Sequence, residues 1–272
     1  FGALLIQKSL GVDFQSFKSN LFNDSAVVMP TPAEEVPRPE TVSYAMSNGW
    51  CWKIPLTNRF GNGYVYSSDF ISADDAETEL RTHLGLLDSD EEARHLKMNV
   101  GQLEKHWEKN CLALGLSQGF IEPLEATALL LVQQAIEMFI ARYEKGNFTP
   151  EFRDDYNERV HERFERVRDY IVAHYKLNTR DDTEYWRANR ENMELSDSLR
   201  RILDAWYRRE DLAQEIQRQN IESHFTSMSW HCLLAGYGAF PVLADNQPGK
   251  GDLYEENGIA EFLRRCSLNF SS

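Results

Sequence analysis

Trp50-Cys51-Trp52-Lys53-Ile54-Pro55 is the stretch on which the fold of this chain turns. Successive side chains of a strand point to opposite faces, so Trp50, Trp52 and Ile54 share one face and Cys51 and Lys53 the other. Pro55 has no N–H to give a ladder and marks the end of the strand. Downstream, Gly61-Asn62-Gly63 reads as a turn ahead of Tyr64-Val65-Tyr66, which makes 50–70 a hairpin. Upstream, Ala26 to Met29 is apolar and β-branched. Pro30, Pro32, Pro37 and Pro39 then form an extended connector, because the residue before each proline is held out of the helical region. The simplest reading of the two tryptophans is a core strand.

The rest of the chain is mainly helical. Ser72 is placed to cap a helix over Ala73–Leu86 that has an acidic first turn. Leu124 to Tyr143 predicts a long apolar helix ending near Gly146. Phe152, Tyr156, Val160, Phe164, Val167 and Ile171 recur at spacings of three and four, which is an amphipathic helix. Its outer face carries Asp155–Arg159 and Glu162–Arg166, pairs worth a few tenths of a kcal/mol each. Leu195, Leu199, Ile202, Leu203 and Trp206 mark another helix, with Ser196 near its start. Strands first and helices later is an α+β order.

The 272 residues carry a net charge of −14 without a basic block, which argues against nucleic acid or an anionic membrane as partner. The longest apolar run, Ala126 to Ala141, is interrupted by Gln133, Gln134 and Glu137 and reads as too short and too polar for a membrane span. Cys51, Cys111, Cys232 and Cys266 are scattered, the pattern of buried thiols in a reducing cytoplasm. The seven histidines show no metal-ligand spacing.

A second segment, Asn110 to Thr127, reads NCLALGLSQGFIEPLEAT. Gly115 and Gly119 allow close approach of backbone to a ligand. Pro123 suits the first turn of a helix, and the free N–H groups around Thr127 and Ala128 would then attract an anion. Glu125 has two readings here: a carboxylate that complements the helix dipole, or a general base.

Taken together, the Trp-x-Trp-x-Ile-Pro stretch and the Glu122-Pro123-Leu124-Glu125-Ala126-Thr127 stretch resemble the flavin-dependent halogenases, often called tryptophan halogenases. His174-Tyr175, Arg180 to Arg187, Asn189 and Trp230 to Gly238 followed by Pro241 resemble the same family, so the likeness runs from Phe1 to about residue 242. The chain opens without Met or a glycine-rich nucleotide motif, which is expected of a C-terminal half of a FAD-dependent monooxygenase-like fold. The resemblance implies that residues 1–120 are the end of the flavin and substrate sheet region and 121–272 a helical substrate-side module.

By this resemblance Glu125 is the catalytic carboxylate, Thr127 and Ala128 hold the halide, and Leu116 and Leu129 touch the flavin. Trp50, Trp52, Ile54 and Pro55 form a barrier between flavin and substrate. Such a barrier keeps the flavin-derived oxidant from attacking the aromatic substrate directly. The implied cofactors are FAD, supplied as FADH2, and chloride or bromide. The implied partners are a separate flavin reductase, an aromatic small molecule and a second copy of the chain, in the setting of antibiotic or secondary-metabolite biosynthesis. Two positions depart from the family pattern: Ala126 stands for the usual Ser and Ala128 for the usual Gly. Ala213-Gln214 and Asn220 stand where enzymes acting on free tryptophan carry a tyrosine pair and a glutamate; Phe225 remains as a substrate-stacking aromatic. A neutral indole, a phenol or a larger aromatic product is therefore the expected substrate. A flavin hydroxylase and a non-catalytic helical module are the rival readings.

Overall fold

The computed structural model describes residues 3–36, 39–241 and 264, so Pro37 and Cys266 lie outside the described residues. The chain divides into two units, Phe1–Ala239 and Phe240–Ser272. Of the second, only Phe240, Pro241 and Arg264 are described.

The first unit is built on a five-stranded antiparallel sheet. Its strands are β2 (Ser25–Pro32), β3 (Val42–Met46), β4 (Gly49–Pro55), β5 (Arg59–Tyr66) and β6 (Arg94–Lys97), in the order β3-β4-β5-β2-β6. A smaller sheet joins β1 (Phe14–Ser16), β7 (Gly101–Leu103) and β10 (Gly119–Phe120), and β8 (Trp107–Glu108) pairs with β9 (Cys111–Leu112). The helices are α1 (Ala73–Leu84), α2 (Ala128–Lys145), α3 (Arg153–Lys176), α4 (Glu184–Glu191), α5 (Asp197–Tyr207), α6 (Leu212–Arg218) and α7 (Ser227–Gly236). The fold is α+β, with strands ahead of helices.

The hairpin over 50–70 is present as β4 and β5, with Trp50 opposite Val65 and Trp52 opposite Gly63. Its turn, however, lies at 56–58, closed by Leu56 N–H donating to Arg59 O at 2.9 Å. Gly61-Asn62-Gly63 is strand, not turn. The glycine at 63 answers a packing demand: a Cβ there would lie 2.1 Å from the Trp52 ring. Strand β2 also runs further than expected, through Pro30 and Pro32. Its partner β6 pairs only with Ser25–Val28, so neither proline is asked for an N–H on that side.

Alternation along the hairpin is read by two cores. Cys51, Tyr64 and Tyr66 face Ala76 and Leu80 of α1. Trp50 and Val65 face the main core, to which α2, α3 and α5 contribute Leu131, Phe164, Ile171, Leu199 and Ile202. Both faces are therefore covered near Trp50, and the strand emerges towards its far end, where Ile54 is 38% exposed.

Helix ends follow local chemistry. Ser72 Oγ accepts from Asp75 N–H at 3.1 Å, and Ser196 Oγ accepts from Leu199 N–H at 3.0 Å, so both serines cap as expected. Helix α1 stops at Leu84 because Gly85 takes a left-handed backbone, φ 70°. Helix α3 buries Tyr156, Val160, Phe164, Val167 and Ile171, as its periodicity predicts, and continues to Lys176. Its Asp155–Arg159 ion pair at 3.0 Å is half exposed and contributes at most a few tenths of a kcal/mol, against roughly 1.5–3 kcal/mol per buried large side chain. The core therefore fixes α3.

Two sequence expectations are corrected. Cys51 is buried, and burial pushes its thiol up to about 12, but Cys111 is only half-buried and Cys232 is exposed. The helical stretch Leu124–Lys145 has 22 residues and contains an 18-residue window of mean hydropathy 1.4, long and apolar enough by composition to cross a membrane. The apolar run counted to Ala141 missed the flanking turns. Only 6% of that window is buried: Leu131 and Ala135 face the core while Leu129, Leu130, Ile136 and Ile140 stay exposed.

Candidate active site

The chain enters the site through Ile121 and Glu122, both buried, and then breaks its backbone direction. Leu124–Ala126 forms a 3-10 turn in which Glu125 has φ 70° and ψ 1° and Ala126 has φ 52°. Left-handed backbone costs an L-residue about 1–2 kcal/mol, so two in succession end any right-handed helix. Helix α2 accordingly begins at Ala128, with Thr127 as its cap, and not at Leu124 as its apolar pattern predicts. The first turn of α2 contains no acidic residue. Glu125 therefore stands ahead of the helix and not in its first turn. Thr127 makes no side-chain capping bond, so the helix start keeps open N–H groups.

Two pockets lie on either side of this turn. The first, about 200 Å³, is lined by Gly115, Leu116, Thr127, Ala128, Leu129 and Val132, among others. It thus brings together the four residues assigned by sequence to halide and flavin. Gly119 also lines it, but its missing Cβ serves the fold: a Cβ there would lie 2.4 Å from the Gly101 carbonyl of the neighbouring strand. The second pocket, about 150 Å³, is lined by Tyr44, Trp50, Leu124, His174, Trp186 and Tyr237, among others. Its β3 wall is held by Arg180 Nη1, from the α3–α4 connection, donating to Ala45 O at 3.0 Å and by Trp186 Nε1 of α4 donating to Met46 O at 2.8 Å.

Glu125 joins the second pocket through His174. Its Oε1 lies 3.0 Å from His174 Nε2, and its side chain is 35% exposed. The pair is close but poorly aligned for a directional hydrogen bond, and Nε2 has no other partner. The imidazole beside it holds the Glu125 carboxyl below the usual carboxylate range, against the opposing effect of burial. On its other side, His174 Nδ1 lies 3.2 Å from Tyr237 Oη.

Glu122 is the residue that sequence reasoning missed. It is 1% exposed, and its Oε2 accepts from Trp50 Nε1 at 3.0 Å, Asn23 Nδ2 at 2.9 Å and Tyr175 Oη at 2.7 Å. Burial pushes this carboxyl above the ordinary range, and the three donors oppose that shift. A lone carboxylate in the run Phe120-Ile121-Glu122-Pro123 was the available signal, since a charge is buried only with partners.

The other assigned residues are placed less centrally. Trp50 is buried and lines the second pocket. Trp52 lies beside it, ring centres 5.9 Å apart, over Gly63, while Ile54 and Pro55 line neither pocket. Phe225 stacks on Tyr170, centres 3.7 Å apart, and lines neither pocket. Ala213, Gln214 and Asn220 are exposed on and just after α6.

This sheet-and-helix half, with its acid-bearing turn between two pockets, has the fold of flavin-dependent halogenases. It superposes on the crystal structure of tryptophan 6-halogenase SttH from Streptomyces toxytricini with a TM-score of 0.82 and 32% identity, over 97% of this chain and 51% of that one. It superposes on BrvH, a flavin-dependent halogenase from Brevundimonas sp. BAL3, with a TM-score of 0.78 and 35% identity, over 98% of this chain and 53% of that one. The chain belongs to the tryptophan halogenase family, whose model matches residues 1–248. Among curated relatives it is 36% identical to 7-chloro-L-tryptophan 6-halogenase KtzR of Kutzneria sp. (strain 744), over 88% of this chain and 46% of that protein. The chain spans about half the length of the curated relatives it matches.

Proposed function

We propose that this chain is the part of a two-component, FADH2-dependent halogenase that carries the general base and the substrate-side wall. The product is a halogenated electron-rich aromatic, indole-like or phenol-like. The observation that carries this reading is the turn 124–128, which has Thr127 and Ala128 on one pocket and Leu124 and the Glu125 partner His174 on the other.

The residues of the first pocket fit a halide and the edge of a flavin ring. Open N–H groups at the start of α2 suit a small anion, and Leu116 and Leu129, 58% and 83% exposed, offer apolar surface to a flat ring. Ala128 keeps the N–H of the family's usual glycine there, although its Cβ narrows the space. The cofactor, bound as reduced flavin, would activate dioxygen, which would supply the two-electron oxidation that makes halide electrophilic.

On the other side, Trp50, Trp186, Tyr44 and Tyr237 enclose a flat ring on apolar surface. As a C–X bond forms at the ring carbon, the ring becomes cationic. Glu125, kept ionised by His174, lies next to that pocket, offsets the charge and takes the proton from the same carbon. Electrons balance because the ring gives its pair to the electrophile and regains it from the broken C–H bond. Trp50, which lines the second pocket, with Trp52 beside it, would supply the bulk that separates flavin from substrate. The implied partners are a separate flavin reductase and the aromatic substrate.

The test is an assay of the full-length polypeptide with a flavin reductase, FAD, halide and a panel of indoles and phenols, read by mass spectrometry. Halide-dependent halogenated product is expected. Oxygenated product at saturating halide would instead establish a hydroxylase.

A further inference from the structure

Three elements converge on one carboxylate oxygen that the proposed chemistry does not use. Glu122 Oε2 accepts from Trp50 of β4, Tyr175 of α3 and Asn23 of the segment before β2. Asn23 is itself fixed, since its Oδ1 accepts from Tyr185 Oη of α4 at 2.9 Å. Glu122 lines neither pocket, so it touches neither halide nor ring. A buried carboxylate is a poor device for stability alone, because a well-packed apolar side chain would serve as well or better. Its position has a different consequence. Three residues on, the chain must hold Glu125 in left-handed backbone, and Pro123 in between, φ −75°, transmits the constraint stiffly.

We propose that Glu122 is a positioning residue: it anchors the indole of Trp50 and, through Pro123, the turn that presents Glu125. One carboxylate oxygen thereby sets the spacing between the wall of the second pocket and the base beside it. All three partners donate, so an acceptor is required at this point. The kinetic consequence rests on the halogenase reading above; the hydrogen bond itself does not.

The test uses the full-length polypeptide with reductase, FAD and halide, together with the Trp50 indole N–H resonance of 15N-tryptophan-labelled protein, assigned through Trp50→Phe. Glu122→Leu should move that resonance upfield. It should also lower kcat for halogenation by roughly tenfold to a hundredfold, the scale of a misplaced catalytic group, with KM changed less than about threefold. Glu122→Gln retains an acceptor oxygen and should restore most of kcat and the resonance. If Glu122→Leu does not fold, Tyr175→Phe removes one donor without opening a large cavity and should lower kcat by a smaller factor. A Trp50 resonance unmoved in Glu122→Leu or, for a protein that cannot be folded with Leu, an unchanged kcat in Tyr175→Phe overturns the proposal. The two ideas fail separately: absence of halide-dependent product from the parent polypeptide sinks the halogenase reading, parent-level halogenation by Glu125→Gln removes only Glu125 as the base, and the Trp50 resonance still decides the role of Glu122.

Discussion

His174 Nε2 stands 3.0 Å from Glu125 Oε1, while the opposite ring nitrogen of the same histidine lies 3.2 Å from Tyr237 Oη. A carboxylate on a left-handed turn thus has its neighbouring imidazole supplied by the end of α3, an element joined to it only through the fold.

Replacing the carboxylate by an amide is the most direct test of the base. Glu125→Gln in the full-length polypeptide should lower halogenation by about two orders of magnitude or more, as expected for loss of a proton acceptor. Flavin oxidation, followed by oxygen uptake, should continue. Halogenation at the parent rate would make Glu125 structural.

The histidine predicts a pH effect. Because His174 lowers the Glu125 pKa, His174→Phe should raise it towards or above the ordinary value. A base with a raised pKa is protonated sooner as pH falls, so the acid limb of the kcat profile should move to higher pH. Tyr170 and Tyr237 also face this histidine, and both titrate above the ordinary tyrosine range through burial, so neither accounts for an acid limb. An unmoved acid limb would remove His174 from the mechanism.

Among the described residues, no carboxylate lines the second pocket, whose walls are largely aromatic. A buried ammonium without an anionic partner keeps its desolvation cost. Neutral indole should therefore outcompete free tryptophan in a mixed assay read by product mass. A preference for free tryptophan would mean that other residues supply the clamp.

The chain contains no glycine-rich phosphate loop of the dinucleotide-binding type, and its apolar first pocket offers nothing comparable for a pyrophosphate. FAD titrated against the isolated chain should bind weakly, by fluorescence quenching or calorimetry. Tight stoichiometric binding would refute this.

Stability should fall in mild acid through His106. This ring is fully buried, stacked on Phe164, and burial pushes its pKa down to about 3. The unfolded chain takes up a proton near pH 6.5 and the folded chain does not until far lower pH. Between those values the unfolded state binds more protons, so stability rises with pH, by up to roughly 1.4 kcal/mol per unit for this one group. His106→Phe should flatten that dependence in denaturant melts from pH 4 to 6; an unchanged slope would mean other groups set it.

The strands and helices were legible where the pattern is local. Trp50-Cys51-Trp52 alternates because a strand does, and Ser72 and Ser196 declare their helices because a cap acts on residues two or three away. The family was legible for a similar reason, since its motifs are contiguous. Gly61-Asn62-Gly63 misled as a turn because the ring that excludes a Cβ at 63 belongs to the facing strand. The start of α2 misled because apolar spacing carries no mark of the left-handed backbone at Glu125 and Ala126.

By itself the sequence determined the family, the α+β order and the identity of Glu125, Thr127 and Ala128 as the residues to watch. Only the tertiary structure decided what surrounds them. Trp50 meets Glu122 across 72 residues of chain, and Tyr175 meets it across 53. Such contacts leave no local period, because they are selected by the packing of α3 against the sheet and the need of a buried carboxylate for donors.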